Sequence, residues 1–124
     1  MIHLVYFRED DGSSPFVDWF RALPVKAQDR CRARLHLLTN QGHLFRRPAV
    51  DYLRDGIYEL RVKAEGINYR ILYFFRGQEA VVISHGIVKQ QAAVPGIEIA
   101  RARDRKRVFT ADPSWHTAKL KEPL

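Results

Sequence analysis

Three consecutive strand-like segments in the middle of the chain, residues 57–63, 68–75 and 79–85, constrain the fold more than any other feature. In the first segment apolar and polar side chains alternate, as expected of a strand whose successive side chains point to opposite faces. The connection at Arg76-Gly77 is short, and its glycine is available for the positive φ that a tight hairpin turn requires. The segments therefore predict an antiparallel meander.

The register of this meander follows from matching the apolar faces of its strands. The match places Arg61 across from, or diagonal to, Arg70. An even number of loop residues before the third segment leaves the alternation of the two faces unchanged. This places His85, Ile83 and Val81 on the face of Arg70. We therefore expect one apolar face that needs a cover and one face with a cationic end.

Arg61 and Arg70 repel each other in this register, because like charges directly opposite in a sheet cost roughly 0.2–1 kcal/mol relative to a neutral pair. One interpretation is that Glu59 neutralises one of the arginines and that the face is simply solvated. The other is a phosphate site, since the planar guanidinium fork of arginine binds an anion in a bidentate manner. The sequence is compatible with both interpretations.

Composition narrows the class of protein and of partner. The chain has 124 residues, enough for one domain with its own core, and its single cysteine, Cys31, excludes an internal disulfide and suits the reducing cytoplasm. The apolar start at residues 2–7 is too short to span a membrane, and the histidines lack the spacing of a metal site. A net charge of +7 favours a polyanionic partner, nucleic acid or the ribosome before a membrane.

Apolar spacing and breakers predict the order of the remaining elements. We expect a strand over 2–7, helices over 15–23 and 25–41, a short strand at 52–53 and, after a connector over 86–94, a basic helix over 95–109. The predicted fold is α+β, with a small antiparallel or mixed sheet of four to five strands, two N-terminal helices on one face and a C-terminal basic helix. Residues 1–109 form a single domain in this prediction, and the tail over 110–124 is partly disordered or ordered only against a partner.

Three motifs carry a resemblance to a known family. They are the runs GIYELR over 56–61, NYRILYFF over 68–75 and HGIVK over 85–89. Together they resemble the phage-derived Gp49-like branch of the RelE/HigB toxins over about residues 3 to 109. The resemblance implies a RelE-like fold and a small endoribonuclease that needs no metal or other cofactor and cleaves mRNA in the ribosomal A site. It also implies that basic residues on an open sheet face bind the scissile phosphate.

The matching positions are Arg61, Arg70 and Lys89, together with His85. RNA cleavage of this kind uses the ribose 2′-OH as nucleophile, so positioning and charge stabilisation do most of the work. The two arginines would hold the phosphate, and either His85 or a Lys89 whose pKa is lowered by neighbouring arginines would take the proton. Five further basic residues are candidates for binding RNA or the ribosome: Lys63, Arg46, Arg47, Arg103 and Arg107.

Gln90 departs from the family pattern, in which a second lysine is common, and this departure leaves alternatives open. The first is a catalytically inert module that binds RNA or the ribosome. The second is a co-regulator whose basic face binds only its antitoxin. The resemblance implies a small helix-turn-helix antitoxin as partner, with operator DNA reached only through the toxin–antitoxin complex.

Overall fold

The computed structural model describes residues 1–124 and contains a single five-stranded sheet with three α-helices. The elements in chain order are β1 (His3–Tyr6), α1 (Pro15–Arg21), α2 (Val25–Gln41), a 3₁₀ turn (Gly42–Leu44), β2 (Val50–Arg54), β3 (Ile57–Ala64), β4 (Ile67–Arg76), β5 (Ala80–Val88) and α3 (Gly96–Ala111). The strand order is β1-β5-β4-β3-β2, with β1 parallel to β5 and every other pair antiparallel. The predicted α+β class with a small mixed sheet is confirmed. None of the helices has the length and apolar content needed to cross a membrane.

Prolines mark the starts of the two N-terminal helices, because α1 begins at Pro15 and α2 follows Pro24. Helix α1 ends at Arg21, two residues before the predicted end, and α2 ends at Gln41 as predicted. Pro15 is the first residue of α1, where its missing N–H costs nothing. Ser14 does not cap this helix with its side chain, because its hydroxyl donates to the carbonyl of Phe7 at 2.8 Å and so ties α1 to the end of β1. The longer helix α2 ends before Gly42, which adopts a φ of +53°.

The sheet has a separate apolar layer on each face. On one face α1 and α2 bury the larger cluster, to which α2 contributes Ala27, Cys31, Leu35 and Leu38. Trp19 of α1 lies so close to β5 that a Cβ added at Gly86 would come within 2.3 Å of its ring, so only glycine fits there. On the other face α3 packs Ile99, Ala102 and Phe109 against Leu72 and Phe74. The resemblance implies an open sheet face. Helix α3 covers the part of this face around Leu72 and Phe74, so the expectation is wrong for that part.

The register confirms the central pairing and corrects one detail. Arg61 lies directly opposite Arg70, as predicted. Between β4 and β5 a β-bulge shifts the pairing, so that Leu72 faces His85 while Tyr73 faces Ile83. A bulge inserts one unpaired residue and reverses the parity of everything beyond it. The prediction is therefore right for His85 and wrong for Ile83 and Val81, which belong to the cluster under α1 and α2.

The ends of β5 and of the chain differ from the predicted boundaries. Strand β5 continues through Val88, so the first residues of the predicted connector belong to the sheet. After α3 the chain turns back along β1, where the N–H of Ala118 donates to the carbonyl of Tyr6 at 2.8 Å and Thr117 bridges to Phe7. The partial disorder expected of the tail over 110–124 stays a prediction.

Candidate functional site

The candidate residues lie in three rows that run across β3, β4 and β5. The register makes these rows Glu59, Leu72 and His85, then Arg61, Arg70 and Ile87, then Lys63, Asn68 and Lys89. Paired residues of neighbouring strands point to the same face. The structure therefore brings the four predicted catalytic residues onto one face. Helix α3 covers the first row through Glu98, which contacts His85, whereas Lys63 and Asn68 in the last row are exposed.

Glu59 lies between the two arginines and is only 4% exposed. Its Oε1 is 3.1 Å from Nε of Arg61, and its Oε2 is 3.4 Å from Nε of Arg70. A buried carboxylate is tolerated when cations pair with it in this way. Glu59 thus offsets the repulsion of both arginines, where the sequence-based interpretation assigned it to one.

Arg70 is 7% exposed, so the open position that the resemblance implies for it is wrong. Its Nη1 donates to the carbonyl of Tyr69 at 2.9 Å. Its Nε contacts Glu59 at ion-pair distance but makes no hydrogen bond. Burial lowers the pKa of Arg70 from its usual range, with the Glu59 carboxylate opposing that shift, and a guanidinium still remains charged under physiological conditions. Arg70 is therefore a buried cation with an unused donor.

Arg61 is more accessible and has a second carboxylate partner. Its Nη2 lies 3.3 Å from Oδ2 of Asp51. Arg47 binds the same carboxylate through two hydrogen bonds of 3.0 and 2.9 Å, and this contact lowers the pKa of Asp51. Three arginines and two carboxylates thus form one chain of ion pairs, Arg47–Asp51–Arg61–Glu59–Arg70, which leaves a single excess positive charge.

A cavity of about 300 Å³ opens at the edge of β3, next to the residues that precede β2. We call it the cationic cavity. The pairing of β2 with β3 stops at Val50 and Leu60. Beyond this pair, the only backbone hydrogen bond at this edge of β3 joins the Arg61 N–H to the carbonyl of Ala49. The lining side chains are Arg34, Arg61, Lys63 and Arg70 with Asn68, Pro48, Ala49 and Val62. Four cations and no carboxylate line this cavity, which is the composition of an anion site.

Arg34 is the member of the cationic cavity that sequence reasoning missed. It lies on α2, whose outer face reads as mixed charges on a wet surface. Its position directly before the buried Leu35 is the signal that could have found it, because this places Arg34 at the border of the packed face. It is half-buried in the structure and reaches the cavity from the helix side of the sheet.

His85 is 6% exposed, and both of its ring nitrogens are occupied. Nε2 lies 3.1 Å from Oε1 of Glu98, and a carboxylate only accepts, so Nε2 carries the proton. Nδ1 then accepts from the hydroxyl of Ser84 at 2.8 Å. Burial, with the nearby charge of Arg105, lowers the pKa of His85 to about 4. His85 is therefore neutral at pH 7 and hydrogen-bonded within the protein, which does not suit a general base.

Of the remaining candidates, Lys63 lines the cationic cavity and Lys89 does not. Lys89 is half-buried in the last row, and its backbone N–H donates to the carbonyl of Asn68 at 2.8 Å. Arg46 is exposed in the segment before β2. Arg103 and Arg107 are exposed on α3 and do not line the cavity, and Arg103 lies 3.9 Å from the carboxylate of Asp55.

Comparison with known proteins identifies the family. The model of the family described as phage-derived protein Gp49-like (DUF891) matches residues 18–107, nearly three quarters of the chain. The match includes all three rows of the site and the cationic cavity. A search of curated proteins finds no match. The chain therefore belongs to the Gp49-like family, a family of RelE/HigB-like toxins.

Proposed function

We propose that the chain is the toxin of a type II toxin–antitoxin pair and that it cleaves mRNA in the ribosomal A site. Membership of a toxin family supports the first part and implies a cognate antitoxin, for which we propose a small helix-turn-helix protein. The observation that carries the second part is the cationic cavity, where four basic side chains converge without a carboxylate in the lining. The substrate is accordingly a phosphodiester.

In the proposed reaction the scissile phosphate enters the cationic cavity and contacts Arg61 and Arg70. The guanidinium groups of Arg70 and of the more accessible Arg61, which both line the cavity, stabilise the charge that develops on the phosphorane. The 2′-oxygen attacks phosphorus, the bond from phosphorus to the 5′-oxygen breaks, and the departing 5′-oxygen takes a proton from water, which leaves a 2′,3′-cyclic phosphate and a 5′-hydroxyl. We assign the proton of the 2′-OH to the side chain of Lys89, because both nitrogens of His85 are already engaged.

An inert module that binds RNA or the ribosome is the second candidate, and a specific observation favours it. Glu59 and Asp51 already pair with the arginines that the reaction needs, and Gln90 stands where the family commonly has a lysine. This candidate predicts salt-sensitive ribosome binding without new RNA ends. A co-regulator that binds only its antitoxin, for instance through the exposed arginines Arg103 and Arg107 of α3, predicts no ribosome affinity without that partner.

The test compares wild type with Arg61→Ala and Arg34→Ala on mRNA-programmed ribosomes and on free mRNA, followed by mapping of the new RNA ends. Arg30→Ala is the matched control, because Arg30 is exposed on the same helix and does not line the cavity. We expect cuts in A-site codons by wild type and Arg30→Ala, and at least tenfold fewer by the other two variants. Folded wild-type protein that binds ribosomes without cutting would establish the inert module.

A further inference from the structure

We propose that a second cavity, on the other side of the segment that precedes β2, binds a nucleobase of single-stranded RNA. This aromatic cavity has a volume of about 370 Å³, which is within the range of small-molecule sites. Its walls include the rings of His43, Phe45, Tyr52 and Tyr58 and the guanidinium groups of Arg46 and Arg47. Rings for stacking beside cations for phosphates are the usual composition of a single-strand binding site.

The rings of the aromatic cavity are held in place by their neighbours. Tyr52 is 53% exposed, yet its hydroxyl accepts the N–H of Gly56 at 3.0 Å and its ring meets Tyr58 at 5.0 Å, nearly edge-on. Tyr58 in turn stacks on Tyr73, which is fully buried. A ring that is already fixed loses little conformational entropy when a base stacks on it. Tyr52 is thus an exposed but preorganised platform.

The ring of His43, which also lines the aromatic cavity, is held in place by its neighbours as well. Its ring stacks on Phe75 with centroids 3.7 Å apart, and its Nε2 lies 2.9 Å from the carbonyl of Gly77. Phe75 also meets Tyr58 edge-on at 5.3 Å, so one connected set of rings supports both sides of the cavity. An apolar peptide would find few free apolar groups here, whereas a flat base finds aromatic faces.

The aromatic cavity is linked to the cationic cavity through Asp51. Arg47 lines the first and Arg61 lines the second, and both bind this carboxylate, at 2.9 and 3.3 Å. Tyr52 pairs with Tyr58 on the face opposite Arg61, so an RNA strand with a phosphate at Arg61 passes round the edge strand β2 to lay a base against Tyr52. Bases of a duplex are stacked on each other and unavailable, so the ligand is single-stranded. This inference deepens the RNA-binding part of the proposed function and does not require cleavage.

The test measures fluorescence anisotropy of a labelled nine-nucleotide adenosine oligoribonucleotide and of a matched abasic ribose-phosphate strand. Tyr52→Ala should bind the adenosine strand about tenfold more weakly than wild type and the abasic strand equally well. Tyr52→Phe keeps the ring and should bind like wild type. Trp115→Ala, which removes a similarly exposed aromatic outside this cavity, should also bind like wild type.

Salt dependence separates the stacking contact from phosphate contacts. Tyr52→Ala should leave the slope of log affinity against log salt unchanged, whereas Arg46→Ala should reduce it by about one. Equal affinity of wild type and Tyr52→Ala, an equal loss on the abasic strand, or no binding of the oligonucleotide by wild type would each overturn the inference. Tyr52-dependent binding by a protein that cuts no ribosomal mRNA would support this inference and refute the proposed cleavage.

Discussion

Arg70 and His85 lie on the same face in adjacent rows and are about equally buried, yet their surroundings differ. His85 lies under α3 with both ring nitrogens hydrogen-bonded, to Ser84 and Glu98. Arg70 borders the cationic cavity, and its Nε donor has no hydrogen-bond partner. Burial therefore has two meanings on this face. The polar groups of His85 are satisfied inside the protein. The guanidinium of Arg70 instead borders a cavity, with its Nε buried against Glu59.

Helix α3 causes this difference because it covers one half of the face. We call the half under α3, with His85 and Glu98, the closed half, and the half beyond it, with Arg70, Lys89 and the cationic cavity, the open half. If this division is correct, substitutions in the open half change RNA chemistry, whereas substitutions in the closed half change stability and its pH dependence.

Removal of the candidate proton acceptor should have the largest effect. Lys89→Ala should reduce the rate of ribosome-dependent cleavage by about 10²–10⁴-fold, which is typical of the loss of a general base. His85→Gln should stay within about tenfold of wild type, because the ring nitrogens of His85 are engaged inside the closed half. Single-turnover cleavage rates measure both. A larger loss for His85→Gln than for Lys89→Ala would reverse the assignment of the two halves.

Arg70→Ala should destabilise the protein as well as inactivate it. Loss of one partner of a buried ion pair leaves a charge uncompensated, and we expect the free energy of unfolding to fall by about 3 kcal/mol. Urea denaturation measures this change, with Leu35→Ala, a core truncation that costs about 2–5 kcal/mol, as the benchmark. Glu59→Gln should recover part of the loss in the Arg70→Ala background. A loss below about 0.5 kcal/mol would mean that Arg70 behaves as an exposed residue.

Acid should destabilise the closed half through His85. The folded protein keeps this ring neutral down to about pH 4, whereas the unfolded chain takes up a proton below its usual pKa of 6.5. Stability should therefore fall as the pH drops from 6.5 towards 4, by up to about 1.4 kcal/mol per pH unit. The charged groups around the ring are Glu98, Arg101 and Arg105. Urea midpoints between pH 7 and 5 should decline less in His85→Gln, and parallel curves for the two proteins would contradict this account.

The sequence predicts the open half better than the closed half, and the bulge explains part of the difference. Turn residues and alternation are enough to place Arg61 opposite Arg70. Beyond the bulge, however, Val81, Val82 and Ile83 are all apolar. Both possible registers, with and without the bulge, therefore place apolar side chains on each face. Burial alone cannot choose between the two registers, and the prediction took the wrong one.

The position of α3 is the other part that sequence patterns do not supply. Ile99 and Ala102 are recognisable as its apolar contacts, but nothing local states which face of the sheet they cover. That choice depends on α1 and α2 already occupying the opposite face, which is a tertiary effect. Arg34 was missed for the same reason, because its role depends on the free edge of a strand that lies far away in the sequence.

Asp51→Asn should give the smallest effect and the only gain of binding. Asn keeps the size of the side chain but releases Arg47 and Arg61 from their shared carboxylate, so RNA affinity should rise a few-fold at low salt and less at high salt. Stability should change by less than about 1 kcal/mol, because the Arg47 side chain is 75% exposed. Asp55→Asn is the matched control, since Asp55 pairs with Arg54 and Arg103 away from both cavities. Weaker binding by Asp51→Asn would mean that the carboxylate orients the two arginines for RNA and does not compete for them.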